Sequence, residues 1–115
     1  MYLIEMSKIW KYGLSLEDEQ IIDLPAHARI LHVGVQADSI QMWVMVDPVE
    51  TNIQHRKIVI VGTGHQMPYA DFERVYLGTI IVEMFVWHIF EIHDGGNYPK
   101  IYKKVEMGTF VEVNV

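Results

Sequence analysis

Tyr76–Ile92 reads Y-L-G-T-I-I-V-E-M-F-V-W-H-I-F-E-I, nearly unbroken apolar sequence rich in β-branched and aromatic residues. Whether it forms one strand or two sets the strand count of the domain. As a single strand it is long beside the usual length of about 5–6 residues. We therefore read two strands joined by a tight turn near Val82-Glu83-Met84. A single bent strand is the rival, with Gly78 supplying a bulge. No strong turn pair separates the two.

Outward from this stretch the periodicity is mostly two, so strands dominate. Ile9–Leu14 alternates around Trp10 and Tyr12. Gln20–Leu24 follows, with L-S-L-E-D-E between them read as a hairpin loop, and Pro25 ends the second strand because it has no ladder donor. Arg29–Gln36 and Ile40–Val46 flank a tight turn at Ala37-Asp38-Ser39, where Asp38 suits an Asx-type bond. Asp47-Pro48 opens a polar loop, and Arg56–Val61 is the next strand. V-G-T-G-H-Q-M-P-Y-A-D-F, Val61–Phe72, begins a loop that runs to about Val75, in which A-D-F-E-R suggests one helical turn. His93–Pro99, H-D-G-G-N-Y-P, is a break. A basic patch (Lys100, Lys103, Lys104) and a strand-like end, T-F-V-E-V-N-V, complete the chain. That last strand needs a partner, in its own sheet or swapped into a neighbouring subunit, since a bare apolar edge invites aggregation.

Seven to eight short antiparallel strands with frequent turns predict an all-β domain, a small sandwich or barrel. The 115 residues fit one domain, residues 1–115, and no repeat or linker divides them. Half the residues are hydrophobic, enough for a core. So small a domain still buries only about two-thirds of its unfolded surface, so oligomerisation would help it. The formal charge of −6 argues against a duplex nucleic-acid binder, whose footprint is basic. It leaves room for a small anionic ligand in a local basic pocket. Without cysteine there is neither a disulfide framework nor a thiolate site. No apolar run reaches a membrane span of about 18 residues, and M-Y-L-I-E-M-S-K lacks the pattern of a signal peptide. The sequence reads as soluble and intracellular.

The glycine loop, Gly62-Thr63-Gly64-His65-Gln66, carries the strongest chemical signal. It lacks the lysine of a P-loop and the third glycine of a dinucleotide fingerprint. Its amides still suit an anion, His65 suits a phosphate and Gln66 a base edge. A strand-terminating turn that needs positive φ is the plainer alternative. Three tryptophans, Trp10, Trp43 and Trp87, with Tyr12, Tyr69 and Tyr76, offer faces for nucleobases. Core packing is the competing use, and Trp43, alternating with Met45, is read as core. Trp10 lies between Lys8 and Lys11 and is the better ligand candidate. Lys8 and Arg74 are the first candidates for phosphate contacts. Six histidines show neither i, i+4 helical nor H-x-H spacing, so no metal or other cofactor is assigned. No nucleophile elbow is present. A pair such as His88 with Glu91 is available for acid–base work, but nothing selects it. The chain is read as a non-enzyme.

K-I-W-K-Y (Lys8–Tyr12), then Q-I-I-D-L-P-A-H-A-R-I-L-H-V-G-V-Q, W-V-M-V-D-P, G-T-G-H and F-V-W-H-I-F-E, in that order, resembles a family of small, mostly phage-encoded β-rich proteins. The resemblance covers about residues 7–91 and leaves 92–115 as an extension. That family looks similar to the viral anti-CBASS sponges, which sequester cyclic nucleotide immune signals without cleaving them. The resemblance implies a binder of cyclic dinucleotides in the host cytoplasm. It further implies a homotetramer with sites at subunit interfaces. It carries over to Lys8, Trp10 and the Gly62–Gln66 loop as ligand contacts. Joined to the reading of the residues, the candidate set is Lys8, Trp10, Tyr12, Thr63, Gly64, His65, Gln66 and Arg74. A protein-interaction module (a host-protein inhibitor or virion component) and a small nucleotide hydrolase or lyase using His65 or His88 are the alternatives.

Overall fold

A computed structural model of the chain describes residues 6–94, 99–106 and 108–113. Among the described residues there are nine strands, all paired antiparallel. They are β1 (Lys8–Leu14), β2 (Glu19–Pro25), β3 (Arg29–Gln36), β4 (Ser39–Val46), β5 (Ile53–Gly62), β6 (Glu73–Val82), β7 (Phe85–His93), β8 (Ile101–Glu106) and β9 (Thr109–Glu112). Among the described residues no helix is long and apolar enough to cross a membrane.

The predicted division of the apolar stretch is the one found. Val82 pairs with Phe85, and Glu83 takes a left-handed φ of 58° between them. The bulge is present as well, as a register shift between Tyr76 and Gly78. There the two layers meet: a Cβ on Gly78 would lie 2.6 Å from Cγ2 of Val33.

The strands form two open sheets. The smaller runs β1-β4-β3 and the larger β6-β7-β5-β8-β9, with β2 on the other side of β5. Ile40, Met42, Val44 and Val46 of β4 face Ile58 and Ile60 of β5, Ile80 of β6 and Ile89 of β7 across the core. Alternation with period two does this directly: one face of each strand is apolar and buried.

Three expectations are corrected. L-S-L-E-D-E is not a hairpin loop, because β1 pairs with β4 and β2 with β5, so the connection crosses between sheets. Gln20 pins it instead, its side-chain amide bonding both the carbonyl and the N–H of Ser15 at 2.7 and 3.0 Å. Trp43 is not core: Met42 and Val44 point inward, and Trp43 lies half-buried on the outer face, 5.8 Å from the His32 ring. Ala70–Arg74 forms no helical turn; a single bond from Phe72 N–H to Tyr69 O closes a turn before β6 starts at Glu73. The strand-like end, by contrast, is found as β9 and pairs with β8 inside the same chain, one of the two partners expected of it, and Lys103 and Lys104 of the basic patch lie on β8. Phe110 of β9 and Tyr102 of β8 pack against His55. Of the predicted break at His93–Pro99, residues 95–98 lie outside the described residues, and His93 is the last residue of β7.

The Ala37-Asp38 turn has both residues at positive φ, the twist a two-residue hairpin favours. Away from the apolar core, Arg56 is buried and bonds Glu91 through Nε and, at 3.0 Å, through Nη2. Its Nη1 also donates to Ala28 O at 2.9 Å. Gln54, also buried, accepts from His27 N–H and donates to Pro99 O, both at 2.8 Å. This network ties the β2–β3 connection to β5 and β7.

Candidate functional site

The glycine loop leaves β5 where its partner β2 has ended. The ladder between them stops at Glu19 opposite Val59, and one further bond, Ile60 N–H to Asp18 O at 3.0 Å, closes it. Beyond that point β5 has β7 on one side only. The chain then turns back. His65 N–H bonds Gly62 O at 3.0 Å, and Gly64 adopts φ 86°. This is the type II turn that requires glycine at its third position. The predicted turn is thus present, and the residues after it build a wall.

Val59 points away from Ile58 and Ile60 yet is fully buried, because the loop folds back over that face. Between loop and strand lies an open cavity of about 510 Å³. Val59, Ile60 and Val61 form its floor, His65, Gln66, Pro68 and Tyr69 one wall, and Asp18 and Glu19 the other. Gly62 makes the wall possible. A Cβ there would lie 2.8 Å from the His65 ring and 3.2 Å from Trp87, so the histidine sits directly on the backbone.

Tyr69 holds a left-handed φ of 62°. For a bulky side chain this costs about 1–2 kcal/mol, and several contacts hold it. Lys57 Nζ donates to the phenolic oxygen at 3.2 Å and lies 4.9 Å from the ring centroid. Phe72 meets the ring edge-on at 5.3 Å. Arg74 Nη1 donates to Pro68 O at 3.3 Å, which braces the loop from β6. Backbone strain held in place by its surroundings concentrates at ligand sites.

The electrostatics of the cavity are acidic. Lys57 approaches Glu19 at 3.6 Å and offsets that carboxylate. The Asp18 carboxylate has no hydrogen-bond or ion-pair partner among the described residues, and no lysine or arginine lines the cavity. A phosphate about 5 Å from an unpaired carboxylate meets about 3 kcal/mol of repulsion at an effective dielectric constant of about 20. The cavity interior therefore suits a neutral group rich in donors, with anionic parts held outside.

Of the candidate residues, His65 and Gln66 line the cavity, Gly64 makes the turn that presents them, and Arg74 supports the loop. Thr63 turns to the sheet face, where its hydroxyl meets His88 Nε2 at 2.7 Å. His88 Nδ1 meets the Thr79 hydroxyl at 3.0 Å, and that hydroxyl meets Tyr76 at 2.6 Å. His88 is therefore a strut between loop and β6. Glu91, on the opposite face and bound to Arg56, is not its partner. Lys8, Trp10 and Tyr12 belong to the smaller sheet, on the face of β1 that also carries Leu14, and none lines the cavity. Burial rises along that face, from Trp10 at 40 % exposed through half-buried Tyr12 to buried Leu14. Partial burial of Tyr12 raises its phenol pKa above the usual value. Among the described residues no three His, Asp or Glu side chains come together as metal ligands.

The sequence reading passed over Asp18, Glu19 and Lys57, whose local surroundings look like ordinary solvated charge. Only the crossing of the β1–β2 connection brings the acidic run to the loop.

A family model described as a domain of unknown function (DUF7352) matches residues 6–98, which leaves the β8–β9 hairpin outside. No curated protein and no solved structure matches the chain.

Proposed function

The chain belongs to this family of unknown function, and from that premise we propose that it binds a cyclic nucleotide signal and sequesters it without cleavage. The observation that carries the reading is the cavity at the end of β5, where a glycine turn sets His65 and Gln66 opposite two carboxylates. Its volume of about 510 Å³ lies within the range of small-molecule sites. An aromatic wall, an amide, an imidazole and carboxylates are the groups that hold a nucleobase. Sequestration acts by mass action and needs tight binding rather than a nucleophile. In a homotetramer, as the sequence resemblance implies, Lys8 and Trp10 of one protomer reach a ligand held by the cavity of another.

Titration calorimetry with a panel of cyclic di- and oligonucleotides and ADP-ribose derivatives tests this. At least one member binds, and His65→Ala or Gln66→Ala weakens it about tenfold or more, the loss expected for a hydrogen bond of about 1–3 kcal/mol. Absence of binding to every member overturns the proposal.

The tip of the β6–β7 hairpin favours a second reading, a protein-interaction surface. Ile81, Met84 and Phe85 are 65 %, 90 % and 62 % exposed, beside the more covered Val86. Contiguous apolar surface of this kind marks contact sites. Replacing Met84 and Phe85 with aspartate abolishes partner capture on this reading and leaves nucleotide binding intact on the first.

A further inference from the structure

We infer that the cavity reads guanine, taking the base inside with the phosphates outside, and that Asp18 is the residue that selects it. This rests on the nucleotide-binding reading above and specifies its ligand. The charge pattern carries the first step. The lining holds two carboxylates and no lysine or arginine, so phosphate is disfavoured within it. Of the cations nearby, Lys57 is held between Glu19 and Tyr69 at 3.6 and 3.2 Å, its charge already offset by the carboxylate, and Arg74 braces the loop through Pro68 O. A nucleotide therefore enters base first.

The second step is the match of donors and acceptors. Glu19 is engaged by Lys57 at 3.6 Å, which leaves Asp18 as the unpartnered carboxylate among the described lining residues. Its backbone carbonyl is bonded to Ile60 N–H at 3.0 Å, so the residue is fixed at the rim of the floor. A carboxylate has two acceptor oxygens and no donor. Guanine is the common base whose pairing edge presents two adjacent donors, the ring N1–H and the exocyclic N2 amine. Its remaining groups, O6 and N7, are acceptors. Gln66 and His65 on the opposite wall are the side chains able to donate to them. Adenine presents an acceptor at N1 and sets a lone pair against the carboxylate. Tyr69 and Pro68 supply an apolar wall for the flat base.

The experiment is titration of the full chain with the cyclic dinucleotides of guanine, hypoxanthine and adenine. Hypoxanthine keeps N1–H and lacks the N2 amine. The expected order is guanine, then hypoxanthine about tenfold weaker, then adenine weaker again, in line with the discrimination of a bidentate base contact. Asp18→Asn removes the guanine preference and leaves the melting temperature unchanged, because the side chain is exposed and bonds no described residue. Adenine bound as tightly as guanine overturns the inference and leaves the nucleotide reading standing. So does an Asp18→Asn variant that binds with its preference intact. Failure of all three ligands, with every other member of the panel, overturns both.

Discussion

At the scale of single residues, the structure depends on a few close approaches and on the buried pair Arg56–Glu91. Gly62 exists where the His65 ring rests on the backbone. Gly62→Ala forces that ring or Trp87 to move, and overpacking of this kind costs about 1–3 kcal/mol. The cost falls in a His65→Ala background, where the nearest obstacle is gone. Thermal unfolding of the two single variants and the double variant measures the coupling; equal costs in both backgrounds contradict the contact. Arg56 and Glu91 are both buried. Arg56→Met leaves a carboxylate without its cation and lowers stability by about 3–5 kcal/mol. The double change Arg56→Met, Glu91→Leu recovers much of this, because the uncompensated charge is removed. Denaturant unfolding distinguishes the two.

Tyr12 supplies the pH dependence. Desolvation raises its phenol pKa above the ordinary value of about 10. The folded state therefore keeps the proton longer than the unfolded chain does. The contribution to stability is fully present below pH of about 10 and is lost as pH rises through the folded pKa. Tyr12→Phe flattens that alkaline decline. Melting temperatures recorded across the alkaline range check it, and an equally steep decline in the variant contradicts the assignment.

At the scale of elements, most strands are legible because alternation and turn residues act locally. Arg29–Gln36 occupies the span its sequence indicates, bounded by the Ala37-Asp38 turn. Pro25 closes β2, and Glu83 divides the long apolar run. What was not legible depends on pairing at a distance. The short acidic connection after Leu14 has the look of a hairpin, but its two strands find better partners in β4 and β5. Trp43 was misassigned for a related reason: alternation fixes that two faces differ, and burial of Met42 and Val44 decides which is inside. The candidate site was half legible. His65 and Gln66 follow from the glycine motif itself, whereas Asp18, Glu19 and Lys57 join it only through the sheet crossing. Gly64 gives a prediction at this scale. With φ 86°, Gly64→Ala strains the turn by about 1–2 kcal/mol, while Gly64→Asn costs less because asparagine tolerates this conformation. Melting temperatures rank the two variants, and an alanine variant as stable as the wild type contradicts the turn.

At the scale of the molecule, the chain is more spread than a compact domain of its length. Its radius of gyration is 15.0 Å, against about 13 Å expected. The sheets are open, and the apolar tip of the β6–β7 hairpin is uncovered. A two-layer body with an uncovered apolar tip gains from burying that tip against another surface. On the proposed function this body holds a nucleotide and leaves it chemically unchanged. The most direct test is to saturate the protein with the tightest member of the cyclic nucleotide panel, denature it by heat, and weigh the released ligand by mass spectrometry. Sequestration gives recovery of the ligand with its mass unchanged after prolonged incubation. A linear or hydrolysed product, formed by the wild type and absent with His65→Ala or His88→Ala, would contradict it and mark the chain as an enzyme.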